Sequence, residues 1–324
     1  MRCERVKRAR PLLGTIVEIS LSGSNASELH TCADAAFDSV VRIHELMSFH
    51  SAGSDVSRFN NSLVGETVQI DSRTWHVIKH AIELSRASDG VFDITVGGEM
   101  MARGNLPVMM HRQVDRTASF RDIELLADRG ARMLRPLAID LGGIAKGYAV
   151  DCAVRVMREM GVTSGCVNAG GDLRVFGDEA MPVDVRDPVD PAMIAAQVML
   201  RERAFATSGN YASTTRFNAS GLVLDPRDDA QVRKGYSASV RATSCMTADA
   251  LAKCVLVLGQ RSGPLLRHYE ADGFVLGEGE EPMLIDTHSG NTDLCAPDSA
   301  YPTPTPLTPT GLDSNVAGFA GADL

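Results

Sequence analysis

The chain has 324 residues, of which 44% are hydrophobic and 23% are charged. These proportions are typical of a globular protein and argue against wholesale disorder or a coiled coil, and the length is enough for about two domains or subdomains. The formal net charge of -9 gives no support for nucleic-acid binding, which requires a basic surface against the phosphates.

The seven cysteines are scattered and include no Cys-x-x-Cys pair, which argues against a disulfide framework. The sequence has no run of 18 or more apolar residues and no apolar stretch at its start, so it predicts neither a membrane span nor a signal peptide. We therefore expect the sequence as it stands to be cytoplasmic, and exported only if the natural N terminus is longer.

The first elements in chain order are a leader, a strand and a helix. Basic side chains concentrate at the start, and residues 1–9 are predicted to be a solvated basic leader. Alternation of apolar and polar residues over positions 12–21 predicts a strand. Asn25 followed by Glu28 resembles a capping box, and the apolar periodicity after it predicts a helix that ends near Ser48.

A second helix is expected over residues 73–87, with Asp89-Gly90 as its stop signal. VFDITVGG, residues 91–98, follows as a loop or short strand. A third helix is predicted from Ile144 onward, and CVNAGGDLRVFG, residues 166–177, reads as a hairpin of two strands.

The last predicted elements are strands at residues 198–200, 221–224 and 237–241, and a helix capped by Thr247. Strands and helices mix without regular βαβ alternation, which favours an α+β fold, and no strand is followed by the GxGxxG of a nicotinamide-binding sheet. From residue 289 the composition becomes rich in Pro and Thr, which predicts a disordered tail.

The segment with the most chemical information is IDLGGIAKGYAVD, residues 139–151. Asp140 is followed by Gly142-Gly143, which allow close approach of a ligand to the backbone, and then by Lys146 in the first turn of the predicted helix. A helix start offers unpaired N–H groups and partial positive charge, so the segment predicts a cradle for a phosphorylated ligand.

Other polar residues also stand at the ends of predicted elements. Asp93 precedes a Gly97-Gly98 pair, residues 206–210 (ATSGN) read as a small hydroxyl-rich turn, and Asp249 is placed in the first turn of a helix. Each has an ordinary structural explanation when taken alone: Asp249 as an acid favoured by the helix dipole, and Asp140 as an acid that ties down a turn.

Taken in order, these segments resemble the ApbE family of FAD:protein FMN transferases. The resemblance covers residues 9 to 284 and rests on an ordered series, which is far more specific than a lone glycine-rich loop. The series is LLGTIVEI, LMSFH followed by SRFN, SDGVFDITVGG, IDLGGIAKGYAVD, VNAGGDLRVFG, ATSGNY, LVLDPR and TADAL with VLG after it.

The resemblance implies an α+β, T-fold-like domain over residues 10–288, with mixed sheets and packed helices, ahead of the disordered tail at 289–324. It implies that FAD is bound and its pyrophosphate is split. FMN is then joined through a phosphoester to a Thr or Ser of an acceptor flavoprotein, and AMP is released. It also implies a Mg²⁺ ion beside the pyrophosphate.

The resemblance assigns site residues by motif but no catalytic residue. It implies that Gly143, through its carbonyl, and Asp249, through its carboxylate, hold the metal, which matches the oxygen ligands that Mg²⁺ prefers. The positions it assigns to FAD are Leu13, His50, Val91, Phe92, Asp93, Asp140, Lys146 and Leu224.

Three positions depart from the family pattern. Leu222 stands where the family commonly has a histidine, Ala252 where it often has an acid, and Lys253 where it usually has a threonine. Lys253 follows Asp249 by one helical turn, so its ammonium can pair with that carboxylate or take the place of the metal. The alternative function is therefore an FAD-binding homologue with weak or no transfer, acting as a flavin carrier, sensor or assembly partner.

Overall fold

A computed structural model of the chain describes residues 4–108, 110, 113–210, 223–232 and 234–287. Within these ranges the helices are α1 (Ala26–Met47), α2 (Asp55–Asn60), α3 (Ser72–Ala87), α4 (Gly97–Ala102), α5 (Ala145–Glu159), α6 (Cys245–Leu258) and α7 (Gly263–His268). None of these helices combines the length and apolar character that crossing a membrane requires.

The strands of the same ranges form one large sheet and three small ones. They are β1 (Glu4–Leu12), β2 (Thr15–Gly23), β3 (Val68–Gln69), β4 (Ile123–Leu125), β5 (Gly130–Met133), β6 (Ser164–Ala169), β7 (Asp172–Phe176), β8 (Met181–Arg186), β9 (Ile194–Leu200), β10 (Arg203–Asn210), β11 (Leu224–Asp225), β12 (Ala230–Gln231), β13 (Tyr236–Ala242), β14 (Asp272–Leu276) and β15 (Met283–Leu284).

The large sheet has eight antiparallel strands in the order β1-β2-β6-β7-β10-β13-β14-β15. Because side chains alternate along a strand, the sheet presents two faces. One face packs against α1, α5 and α6. The β8–β9 hairpin covers part of the other, over Leu173, Val175, Phe205, Phe274 and Leu276. The α+β prediction is confirmed, and β3, β4, β5 and the β11–β12 hairpin are small additions to this frame.

The predicted first helix is confirmed at both ends. Its N-cap is Asn25, whose side-chain oxygen accepts a hydrogen bond from the Ser27 N–H at 3.0 Å and whose amide donates to Glu28 Oε1 at 2.8 Å. The helix ends at Met47, and a buried apolar face that includes Phe37 lies against the core.

The prediction of a solvated leader is wrong for the residues of the leader that the structure describes. They belong to β1, which pairs with β2 along its whole length, from Glu4 opposite Gly23 to Leu12 opposite Thr15. The strand predicted over 12–21 is accordingly β2, and the two strands are joined by a tight turn at Leu13-Gly14.

The charges of β1 are accommodated because acidic and aromatic partners lie beside them. Arg8 and Arg10 both contact Asp34 on α1, at 2.8 and 2.5 Å, and the Arg10 guanidinium lies 4.5 Å from the centre of the Phe37 ring. Val6 faces the core and is buried. Charged side chains on an edge strand also discourage pairing with another chain, so the basic composition is compatible with a strand.

Two further sequence predictions need correction. Residues 206–210, expected as a turn, lie inside β10, where Ala204 and Ala206 are fully buried and allow α6 to pack closely. The cap of α6 is Ser244 and not Thr247: the Ser244 hydroxyl accepts from the Thr247 N–H at 3.2 Å. The predicted tail, residues 289–324, lies outside the described residues.

Short helix α2, which the periodicity did not predict, is joined to the segment before Asp140 by one side chain. Asn60 is buried; its amide donates to the Ile139 carbonyl at 2.9 Å, and its oxygen accepts from the Ile139 N–H at 2.8 Å. Both main-chain groups of a fully buried residue are therefore satisfied by a side chain 79 positions away.

We expect Asn60→Ala to lower the free energy of unfolding by about 2 kcal/mol, because it leaves a buried N–H and a buried carbonyl without these partners. Urea denaturation followed by circular dichroism measures the effect. The control is Asn61→Ala, which alters the adjacent, exposed asparagine and should change stability far less. Equal losses in the two variants would contradict the role given to Asn60.

Candidate functional site

The structure brings the predicted segments 91–98 and 137–143 side by side. The Asp140 N–H donates to the Ile94 carbonyl at 2.7 Å, and Val96 and Ala138 form an isolated parallel bridge. Gly97 must be a glycine here, because a Cβ at that position would lie 2.7 Å from the Ala138 carbonyl oxygen. The two segments that the sequence predicted to form the site are thus one continuous surface.

Helix α6 meets this surface at Gly143. A Cβ on Gly143 would lie 3.1 Å from Lys253 Cε and 3.5 Å from Phe92 Cε2, so the lysine stem and the aromatic ring both lie against this glycine. The loop after α3, the start of α5 and the middle of α6 therefore converge at one point.

The predicted apolar residues lie in the loop after α3, in the β11–β12 hairpin and in the turn between β1 and β2. Val91, Phe92 and Leu224 are buried, and Leu13 is half-buried in the turn between β1 and β2. The β11–β12 hairpin that carries Leu224 is held to the end of β10 by Asn210, whose amide donates to the Val232 carbonyl at 2.5 Å. Of these residues, Phe92 lies against Gly143.

Asp140 lies at the surface of this convergence, with its side chain half-buried. Its Oδ1 accepts from the Gly142 N–H at 3.0 Å. Burial raises the pKa of Asp140, while that hydrogen bond and the charges of His50 and Lys253 oppose the rise. His50 is exposed in the turn that follows α1.

Asp93 is directed inward. Its Oδ1 accepts from the N–H and the hydroxyl of Thr95, both at 2.8 Å, and its Oδ2 accepts from the Phe120 N–H at 3.0 Å. Burial raises the pKa of this carboxyl against those hydrogen bonds. Both oxygens hold the loop that carries Val91 and Phe92, which gives Asp93 a positioning role.

Two partly exposed lysines and two buried aspartates form a charge cluster, which we call the Lys146–Asp172–Asp249–Lys253 cluster. Lys146 Nζ makes an ion pair with Asp172 Oδ2 and lies 3.7 Å from Asp249 Oδ2. Lys253 Nζ lies 2.5 Å from Asp249 Oδ1. The side chain of Asp249 is 0% exposed and that of Asp172 is 3% exposed. Such carboxylates are stable only with charge partners of this kind.

The cluster shifts the pKa values of its own members. Burial disfavours the charged form of Asp249, yet the ammonium groups of Lys146 and Lys253 hold the pKa of that carboxyl below its usual range. Burial and the neighbouring Asp249 charge raise the pKa of Asp172. Burial would lower the pKa of Lys146, but the two carboxylates outweigh it and raise that pKa, so Lys146 stays protonated.

Close contact between α5 and α6 keeps the cluster together. A Cβ on Gly147 would lie 2.2 Å from the Cys245 carbonyl oxygen, and the Gly147 N–H donates to Asp249 Oδ2 at 3.1 Å. Asp151, one turn further along α5, accepts from the N–H groups of Cys245 and Met246 at 3.0 and 2.9 Å. Residues 147–151, at the end of the IDLGGIAKGYAVD segment, therefore position α6.

The predicted metal ligands are Gly143 and Asp249, and Lys253 lies against both of them. Each carboxylate oxygen of Asp249 already has a partner, Lys253 at Oδ1 and Gly147 at Oδ2. Among the described residues, no group of three or more His, Cys, Asp or Glu side chains is arranged to hold a metal ion. With Lys253 and the Gly147 N–H in place, the surroundings of Asp249 therefore do not fit a divalent cation.

Sequence reasoning missed three residues of this region, which are Asn60, Asp172 and Ser208. Asp172 follows the Gly170-Gly171 turn, so an acid after two glycines was the available signal. The Ser208 hydroxyl accepts a hydrogen bond from Lys253 Nζ at 3.2 Å. This serine was not predicted because its segment was expected to be a turn. Leu222 lies outside the described residues.

Comparison with known proteins agrees with the sequence resemblance. The model of the ApbE family matches residues 13–273. The FAD:protein FMN transferase of Vibrio cholerae serotype O1 is 28% identical over 80% of this chain and 83% of its own length. The protein of the same name from Escherichia coli (strain K12) is 24% identical over 76% of both chains.

Solved structures show the same fold. The crystal structure of the ApbE protein of Thermotoga maritima superposes with a TM-score of 0.76 at 26% identity, covering 88% of this chain and 98% of that one. The flavin transferase ApbE of Vibrio cholerae gives a TM-score of 0.71 at 21% identity, with the same coverage of both chains. Because the family match spans well over half of the 324 residues and the fold agrees with it, this chain belongs to the ApbE family.

Proposed function

We propose that this chain is an FAD:protein FMN transferase, which moves FMN from FAD to a Thr or Ser of an acceptor flavoprotein and releases AMP. Relatives that carry this name span most of the chain. The observation that carries the proposal is the convergence at Gly143, where an apolar loop, a helix start and two ammonium groups meet. That combination suits a ligand with aromatic rings and a pyrophosphate.

The rings and the phosphates of FAD contact different parts of this surface. The ammonium groups of Lys146 and Lys253 attract the pyrophosphate through their positive charge. Asp140 and His50 supply polar contacts at the rim. Asp93 acts through the loop that it holds. The apolar lining for the rings is Leu13, Val91, Phe92 and Leu224.

The reaction is a displacement at phosphorus. The acceptor hydroxyl oxygen bonds to the phosphorus of the FMN half, the bond from that phosphorus to the bridging oxygen breaks, and its electron pair leaves with AMP. The hydroxyl proton passes to solvent. Lys146 and Lys253 counter the negative charge that builds on the phosphoryl oxygens. Leucine at position 222 cannot accept a proton.

A second function is favoured by Lys253, whose single charge replaces the threonine and metal that the family resemblance implies. In this alternative the chain binds FAD but transfers FMN slowly or not at all, and acts as a carrier, sensor or assembly partner. Binding and transfer are therefore measured separately in the two experiments below.

Incubation of the purified protein with FAD and an acceptor flavoprotein domain is expected to add the mass of one FMN to the acceptor and to release one AMP for each FMN attached. Mass spectrometry of the acceptor and chromatography of the nucleotides measure both products. An acceptor whose target hydroxyl residue is replaced by alanine is the control. Stable FAD binding with no AMP after long incubation would reject the transferase in favour of the carrier or sensor.

Lys146→Gln is expected to weaken FAD binding roughly tenfold or more, because one positive charge at the pyrophosphate is lost. The affinity for riboflavin, which lacks the phosphates, should fall by less than about threefold in the same variant. Isothermal titration calorimetry with both ligands gives the comparison, and Lys79→Gln, on the exposed surface of α3, is the matched control. Equal losses for the two ligands would indicate general damage to the fold and contradict the phosphate role.

A further inference from the structure

The ammonium group of Lys253 is surrounded by three oxygens of three chemical kinds. They are Asp249 Oδ1 at 2.5 Å, the Asp249 main-chain carbonyl at 3.0 Å and the Ser208 hydroxyl at 3.2 Å. An ammonium has three hydrogens to donate, so this set satisfies it. Carboxylate, carbonyl and hydroxyl oxygens are also the ligands of a hard divalent cation. The lysine therefore occupies a position built from the ligands of a cation.

The position also faces the ligand surface. The Lys253 stem passes Gly143, where a Cβ would lie 3.2 Å from Cδ and 3.1 Å from Cε. The side chain keeps 22% of its surface exposed, although the Asp249 side chain beneath it is fully buried. The charge is thus held by the buried Asp249, while the lysine side chain beside Gly143 stays partly open to solvent.

A divalent cation at Asp249 would have to compete with groups already in place. It would need the oxygen that Lys253 contacts at 2.5 Å, and it would enter a site that already holds Lys146 at 3.7 Å from the other carboxylate oxygen. Like charges at such separations repel strongly where water is excluded. The geometry therefore disfavours a metal as long as Lys253 is present.

We infer that Lys253 is a built-in cation that takes the place of a divalent metal, so that this chain binds FAD, and transfers FMN, without Mg²⁺. The inference rests on the proposed function for the identity of the ligand, but the occupancy of the cation site by Lys253 stands on the contacts alone. Its consequence is specific: Lys253→Thr, which exchanges the ammonium for a hydroxyl, should create a metal site on Asp249.

The test is a titration with Mn²⁺, followed by electron paramagnetic resonance, of the full-length wild type and of Lys253→Thr, with FAD present and absent. Free FAD with Mn²⁺ supplies the background. We expect the wild type to bind no Mn²⁺ beyond the amount that free FAD binds. Lys253→Thr should bind about one Mn²⁺ with an affinity at least roughly tenfold higher than the wild type. Lys79→Thr removes the same charge from an exposed i,i+4 pair and should behave as the wild type does.

Tight, FAD-dependent Mn²⁺ binding by the wild type would overturn the inference, and this measurement needs no variant to fold. A Lys253→Thr protein that unfolds cooperatively and still binds FAD, yet gains no Mn²⁺, would overturn it as well. Transfer assays with EDTA or Mg²⁺ run alongside. If AMP never appears while the Mn²⁺ contrast between the proteins holds, the transferase function fails and the cation site stands.

Discussion

The site depends on one fully buried carboxylate, that of Asp249. A carboxylate with no exposure to water is tolerated only when charges and donors replace the lost hydration. Here Lys146, Lys253 and the Gly147 N–H supply that replacement. The glycine at position 147 and the close packing of α5 on α6 follow from the same requirement, because the N–H can reach Asp249 only if the two helices nearly touch.

This requirement joins parts of the chain that are distant in sequence. The Lys146–Asp172–Asp249–Lys253 cluster draws on α5, β7 and α6, and Ser208 adds β10. The charges are therefore positioned by the central sheet and its helices before any ligand arrives. Fixed charges of this kind stabilise a phosphoryl group without reorganisation during the reaction, which is the main electrostatic advantage that a folded site has over water. The loop held by Asp93 and the segment held by Asn60 complete the frame.

Local patterns in the sequence predicted the parts of this arrangement that depend on neighbours along the chain. The Asn25 cap and the start of α5 are of this kind, and so is the approach of Lys253 to Asp249 over one helical turn. The contacts of Ser208, Asp172 and Asn60 depend on strand register and on segments 26 to 79 positions apart, which periodicity does not specify. The sequence predicts a solvated leader where β1 lies because the basic composition of this segment is typical of a leader. The acid that pairs with Arg8 and Arg10 is Asp34, which lies on α1 and cannot be identified from the segment itself.

Replacing a divalent ion by an ammonium changes the charge that a pyrophosphate meets. In the cluster as it stands, the positive charges of two ammonium groups and the negative charges of two carboxylates sum to zero. A divalent ion in place of Lys253 would leave the same region with one net positive charge. The ammonium also directs its hydrogens to Asp249 and Ser208, so it acts on the phosphates mainly through its charge and cannot bridge several of their oxygens as a metal does. If Lys253 takes the place of the metal as proposed, the site is independent of metal supply, and less stabilisation is available at the transferred phosphorus.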